Sequence, residues 1–451
     1  MAQWAGRTAV EIAAAVRSGQ VSARTVVAEH LDRIAAVDRD LGAFVRVRAQ
    51  AALDEADAVD ARADLAGLPL AGVPVAVKDN IPVAGEPMRS GSLAVPDVPS
   101  ARDHPLVGRF RAAGAVVVGL TSLPEFAIFP FTDSEFGVAR NPWDRRRTPG
   151  GSSGGSAVAV ASGMVPVAHG NDGLGSVRIP AAACGLVGIK PGAGVVPAEV
   201  GADSWGGILE NGPLATTVAD AAVTLGVMAG AEFEVTEPAR LRIAVSVKPP
   251  GPGLVIHRGL KARASVCGDL LAGLGHEVTR DDPRYPLWLT PTAIARWLTA
   301  PTADAEPYLS VPALQRRTRR HARAGRLARR LRRLDGGDRE RFRLAVAPFF
   351  DRYDVLVMPC LAWTCPAARH WSDGSWLRSA VAALRFAPMT GPWNIAGYPA
   401  ASVPSGTVAG LPGSVQLVAA PGQEALLLGV AAQIERAAPW PRHPPGYDPA
   451  G

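Results

Sequence analysis

Lysine is nearly absent from this chain: of 47 basic side chains only Lys78, Lys190, Lys248 and Lys261 are lysine, and arginine supplies the rest. Cysteine is as sparse. Cys184, Cys267, Cys360 and Cys365 are too few and too scattered for a disulfide framework, and no CxxC pair offers zinc-ligand spacing, so no metal site is expected. No run reaches the roughly 18 consecutive apolar residues of a membrane span, because the stretches near Val73, Val116 and Val158 are each cut by Gly, Pro or polar residues. The opening residues, MAQWAGRTAVEIAAAV, carry no basic n-region and Glu11 breaks their apolar run, so a reducing cytoplasm is the expected location. With 451 residues, 48% of them hydrophobic and 20% charged, the chain is neither disordered nor collagen-like. It has neither an internal repeat nor a low-complexity segment.

The net charge of +6 belongs to one segment. Thirteen arginines against Asp335, Asp338 and Glu340 lie between Arg316 and Arg343, which leaves the remainder mildly acidic. Within the block Leu327, Leu331 and Leu334 recur at i, i+4, i+7, the spacing of an apolar stripe on a helix whose other faces carry arginine. A solvated amphipathic helix is the reading. A patch for RNA or an acidic partner is the alternative, disfavoured because no aromatics interleave the arginines.

Thr8 and Glu11 form a capping box ahead of an apolar segment, so a helix is expected from Thr8 to Ser18, and Ser22 caps a second in which Val27, Leu31 and Ile34 share a face. Strand-like runs follow at Val73–Val77, Ala115–Gly119, Leu241–Ser246, Asp354–Met358 and Val415–Val418, with helical stretches between them. That alternation points to an α/β fold. Gly- and Pro-rich stretches at Thr148–Gly155 and Lys248–Gly253 read as loops, the second as an internal boundary.

The densest chemical signal runs from Thr148 to Pro191. Gly150, Gly151, Gly154 and Gly155 bracket Ser152 and Ser153, and Gly173, Gly175 and Ser176 form a second cluster whose amides can converge on one space, as an oxyanion site requires. A flexible linker is improbable because apolar residues flank both clusters, and a Walker phosphate loop would need the missing Gly-Lys-Ser/Thr. A serine nucleophile needs a base. His169 sits in the run Val165–Gly170 and reads as a packed structural residue, and there is no GxSxG elbow. Lys78 is the better lead, since it ends an apolar strand and is followed by Asp79 and Asn80. Desolvation lowers a lysine pKa, and the neutral amine accepts a proton, which arginine cannot do. A buried Lys78–Asp79 ion pair is the structural alternative.

The segments LAGVPVAVKDNI around Lys78, GAVVVGLTSLPEFA, NPWDRRRTPGGSSGGSAVAVASG, GSVRIPAAACGLVGIKP, GPLATTVADAAVTLGVMAG and PWNIAGYPAASVPSG together resemble the amidase signature family. The resemblance spans nearly the whole chain and is weakest between about residues 280 and 350. It implies an α/β fold built on a single large mixed β-sheet flanked by helices on both faces. The chain would then be one domain, 1–451, with an N-terminal helical region 1–70, a catalytic core 71–240 carrying the Gly/Ser-rich signature, and a C-terminal part 241–451 that includes a variable substrate-side segment 280–350.

By the same resemblance Ser176 is the nucleophile, Ser152 relays its proton across a cis Gly151–Ser152 bond to Lys78, and Ser153 helps to hold the network. The backbone N–H groups of Gly173, Leu174, Gly175 and Ser176 form the oxyanion hole. Asp172 and Arg178 are supporting residues expected to pair and fix the turn, with Arg178 as a substrate ligand the alternative. The implied reaction is hydrolysis of a carboxamide C–N bond through a serine acyl-enzyme, with a small-molecule amide as partner and no cofactor, metal or membrane. Nucleic acid is not an expected partner, and a homodimer is left open. Alternatives are the A-type glutaminase component of a tRNA-dependent amidotransferase, a biosynthetic acyl-transfer enzyme, and an inactive scaffold.

Where the family commonly reads GTDTGGS, this chain reads Gly170-Asn171-Asp172-Gly173-Leu174-Gly175-Ser176, so a leucine replaces a glycine in the oxyanion turn. An ordinary negative φ is expected at Leu174, with its side chain narrowing the acyl pocket. Trp288, Trp297, Trp363, Trp371, Trp376 and Trp393 are candidates for that pocket, core packing being the alternative.

Overall fold

The computed structural model describes residues 4–449 apart from Arg332, Arg333 and Asp335. Eleven strands form one sheet in the order Phe44–Val47, Val116–Thr121, Pro74–Lys78, Val167–Asp172, Glu210–Ala215, Val187–Lys190, Ala400–Val408, Leu411–Val418, Val355–Pro359, Arg242–Val245 and Glu277–Arg280. Parallel and antiparallel pairs mix along it, so the sheet is of the mixed α/β type that the resemblance implies. Strands from both sides of the 248–253 loop belong to this one sheet.

The strand Pro74–Lys78 is buried along its whole length. Its near-continuous apolar run is what a parallel strand covered on both faces requires. It lies between Val116–Thr121 and Val167–Asp172, parallel to both, with Val75 opposite Val167 and Ala76 opposite Ala168. That register brings Lys78 and Asn171 to the same carboxyl edge, the edge at which open α/β sheets place their ligands. The Thr8 capping box and the Ser22 cap form as expected, opening helices Ala9–Arg17 and Ala23–Leu41. The first glycine cluster sits against the same edge of the sheet: helix Gly154–Ala161 starts immediately after Ser153, and a Cβ on Gly155 would lie 2.4 Å from the backbone nitrogen of Ser122. Only glycine allows that approach. All four cysteines are buried free thiols.

The arginine-rich segment departs from its sequence reading. Helix Arg316–Leu331 leaves Leu327 56% and Leu331 78% exposed, while its buried face carries Arg317, Thr318, His321, Ala322 and Gly325. The predicted leucine stripe is therefore not the packing face. Arg317 reaches Asp133 at 3.1 Å, both side chains being about 1% exposed, and its guanidinium lies 4.6 Å from the centre of the Phe129 ring. A buried carboxylate and an aromatic face determine which side of the helix turns inward.

Exposed and buried arginines on this helix are accordingly expected to behave differently. Arg317→Gln leaves the Asp133 carboxylate buried and unpaired, which destabilises the fold by about 3 to 5 kcal/mol. Replacing exposed Arg316, Arg320 and Arg323 by Gln changes stability by less than about 0.5 kcal/mol each. Urea denaturation of the two variants checks this, and equal, small effects would refute the buried pair as the anchor of this helix.

Candidate active site

Lys78, at the end of its strand, is fully buried, and its Nζ lies 2.8 Å from Ser152 Oγ and 2.7 Å from Asn171 Oδ1. The Asn171 amide is held in turn, its Nδ2 donating to Asn80 Oδ1 at 2.7 Å. A carbonyl oxygen accepts only, so one Lys78 N–H points at Asn171. The same contact lets a neutral amine turn its lone pair toward the Ser152 hydroxyl. Burial pushes the Lys78 pKa well below its ordinary value, and the negative charge of Asp172 offsets part of that effect. The Lys78–Asp79 pair does not form. Asp79 Oδ1 accepts from the Arg89 backbone at 3.0 Å, and burial raises its pKa to about 7.

Ser152 follows a cis Gly151–Ser152 bond, as the resemblance implies, and is buried. The neighbouring Ser153 ties the two Gly-Ser clusters together. Its N–H donates to the Ser176 carbonyl at 3.2 Å, and its Oγ lies 3.3 Å from both the N–H and the C=O of Asn171. Ser176 is half-buried at the edge of an apolar cavity, and among the described residues its hydroxyl forms no hydrogen bond.

The turn that carries Ser176 is held by a polar cluster. Asp172 accepts from the backbone N–H groups of Gly175, Val177 and Arg178 and from both Nε and Nη2 of Arg178, each at 2.9 Å in the two side-chain bonds. Burial alone would raise its pKa, but the Arg178 guanidinium, with Lys190 and Asn394, holds it down at about 2. Arg178 also donates to the Thr390 carbonyl, Gln416 Oε1 at 2.6 Å and Asn394 Oδ1 at 2.6 Å. It is fully buried and its donors are spent within the protein. Arg178 is thereby tied to Asp172 and to the segment Thr390–Asn394, as expected for a residue that holds the turn.

Two expectations about the oxyanion turn resolve differently. Leu174 does not adopt a positive φ, so the backbone tolerates leucine there, and its side chain lines the cavity. Gly175, with φ 125°, needs to be glycine, since a Cβ would meet Thr390 Oγ1 at 2.1 Å. Its amide, however, donates to Asp172 Oδ1 at 2.6 Å. That N–H is occupied, which corrects its assignment as an oxyanion donor. The amides of Gly173, Leu174 and Ser176 donate to no group among the described residues.

His169 is a structural residue, as its sequence context suggests. It is buried, with Nδ1 accepting from the Lys78 N–H at 3.4 Å and Nε2 against Asn211 Oδ1 at 3.0 Å, and burial lowers its pKa to about 3. Of the six candidate tryptophans only Trp297 lines the cavity, while Trp393 is core. Trp205, which sequence reasoning does not single out, lines it too and stacks above Gly173, where a Cβ would come within 2.6 Å of the ring. Asn171 and Asn394 escape the sequence as well. Both stand inside the quoted motifs, but an asparagine carries no sign of its partner until the fold supplies one.

A family model described as Amidase matches residues 25–428. The AmiB2 protein of Mycobacterium tuberculosis is 40% identical over 444 residues, covering 95% of each chain. The A-type component of the glutamyl-tRNA(Gln) amidotransferase of Symbiobacterium thermophilum is 34% identical, covering 92% of this chain and 93% of the relative. Among solved structures, 6-aminohexanoate cyclic dimer hydrolase in complex with its substrate superposes with a TM-score of 0.86 at 29% identity, over 98% of this chain and 99% of that one. With its sheet, its Gly-Ser clusters and its buried lysine on one edge, the chain belongs to the amidase signature family of amide-hydrolysing enzymes.

Proposed function

We propose that this enzyme cleaves a carboxamide C–N bond through an acyl-enzyme on Ser176. One observation carries the reading: the Lys78 amine is desolvated and 2.8 Å from Ser152 Oγ, with its other donor direction fixed by Asn171. As Ser176 Oγ attacks the amide carbonyl, its proton passes to Ser152 Oγ and the Ser152 proton passes to Lys78 Nζ. The carbonyl π electrons move onto oxygen, where the free amides of Gly173, Leu174 and Ser176 can donate to the oxyanion. When the C–N bond breaks, the relay runs backward and delivers a proton to the leaving nitrogen. Water then attacks the ester by the same route, releasing a carboxylic acid and regenerating Ser176.

A fluorophosphonate probe followed by peptide mass spectrometry tests the nucleophile. A covalent adduct on Ser176 is expected, and its loss in Lys78→Met. Labelling of another serine, or none, would overturn the assignment. The amidotransferase relative motivates a second reading, a glutaminase that supplies ammonia to a partner. The apolar lining beside Ser176 argues against it, since glutamine carries an ammonium and a carboxylate on its acyl part.

A further inference from the structure

The cavity at Ser176 measures about 120 Å³ and, among the described residues, has no charged side chain in its wall. Its polar atoms are few and mostly spent. Thr290 Oγ1 donates to the Pro250 carbonyl at 3.2 Å, and the Trp297 indole N–H donates to the Ile128 carbonyl at 2.7 Å. Apart from the Ser176 hydroxyl, the other lining side chains are aliphatic or aromatic, with Phe129 meeting Trp297 edge-on at 5.6 Å. Two walls rise from the oxyanion turn itself. Leu174 reaches toward Gly391, where a Cβ would lie 3.3 Å from its Cδ2, and Trp205 covers Gly173.

The relay decides which half of the substrate this cavity receives. Neither Lys78 nor Ser152 belongs to the cavity wall. The leaving nitrogen must collect its proton from that relay, so it stands on the Ser152 side of Ser176. The acyl group, which stays attached while water replaces the amine, is left with the apolar side. An apolar cavity of roughly 150 Å³ accepts a benzene ring, and a cavity of this size therefore suits a ring or a branched chain. A charged group would lose its hydration there and find no partner.

Resting on the acyl-enzyme reading above, we infer that the substrate is a carboxamide with an uncharged, apolar acyl group, aryl or branched aliphatic, about as large as a benzene ring. Leu174, Ala293 and Trp205 select for it by shape, and a wall without a charged side chain among the described residues disfavours amino-acid acyl groups.

The test compares kcat/KM of the full chain for phenylacetamide, benzamide and isobutyramide with that for glutamine and succinamate, whose acyl parts are charged. The apolar amides are expected to lead by at least about a hundredfold. Turnover of glutamine or succinamate equal to or above theirs, or no turnover of any apolar amide, overturns the inference. Ala293→Phe fills the cavity from its wall, and the ratio of phenylacetamide to acetamide turnover is expected to fall more than about tenfold. An unchanged ratio also overturns it. A Ser176→Ala variant run on the same panel separates the two readings. If it retains wild-type phenylacetamide turnover, the acyl-enzyme fails; if it is inactive while the wild type prefers glutamine, only the acyl-group inference fails.

Discussion

Ser176→Ala is expected to lower kcat/KM on the best amide by at least about a thousandfold while leaving the melting temperature within a few degrees of wild type. On the proposed mechanism the size follows from losing the bond-forming atom: Lys78, Ser152 and the amides of the turn remain but have nothing to activate, and only binding and electrostatic stabilisation persist. The small stability change follows because Ser176 Oγ forms no hydrogen bond among the described residues and stands half-exposed at the cavity edge. Ser153 differs. Its Oγ holds the backbone of Asn171, the residue that orients Lys78, so Ser153→Ala is expected to disturb both activity and stability. Steady-state kinetics and thermal melts on the two variants check the contrast. Activity in Ser176→Ala above a hundredth of wild type would remove the residue as nucleophile.

Lys78→Met should cost about 10²- to 10⁴-fold in kcat/KM, the range for loss of a positioned base. Methionine nearly matches the buried stem, so the loss reads out proton transfer more than packing. The wild-type kcat/KM is expected to rise with pH as the Lys78 ammonium loses its proton, and then to level off. Because burial lowers that pKa well below the ordinary lysine value, the rise falls below the pH range in which a free lysine titrates. Stability carries the same signature. Between the depressed folded pKa and the ordinary unfolded one, the unfolded chain binds the extra proton, so this residue makes the fold more stable as pH rises through that window. In Lys78→Met both dependences should flatten. If the pH–rate limb survived the substitution, another base would be responsible, and His169 is a poor candidate because burial holds its pKa at about 3 and both ring nitrogens are engaged.

The sequence was informative wherever the deciding information lay within a few residues. A Thr8 hydroxyl and a Glu11 carboxylate three positions on cap a helix whatever the rest of the chain does. The scarcity of lysine against abundant arginine singled out Lys78, and the glycine-serine clusters announced backbone approaches open to no other residue. By itself the sequence thus determined the α/β class and the family, and it pointed to Lys78, Ser152 and Ser176. Tertiary structure decided what depends on partners far along the chain. Arg178 binds Gln416 and Asn394, 238 and 216 residues away, and those bonds make it a strut for the turn. The Gly175 amide is taken by Asp172, a choice of hydrogen-bond partner that spacing does not encode. The arginine-rich helix turned inward the face carrying Arg317, because Asp133 and Phe129 were waiting there, and its leucines were left outside. The cavity wall likewise joins Leu174 and Trp205 to residues around Pro250, Ala293 and Leu384, which meet only once the sheet has formed. Local propensity and composition are written in short stretches of sequence, whereas the face a helix buries and the partner a polar group finds are settled by competition among distant surfaces.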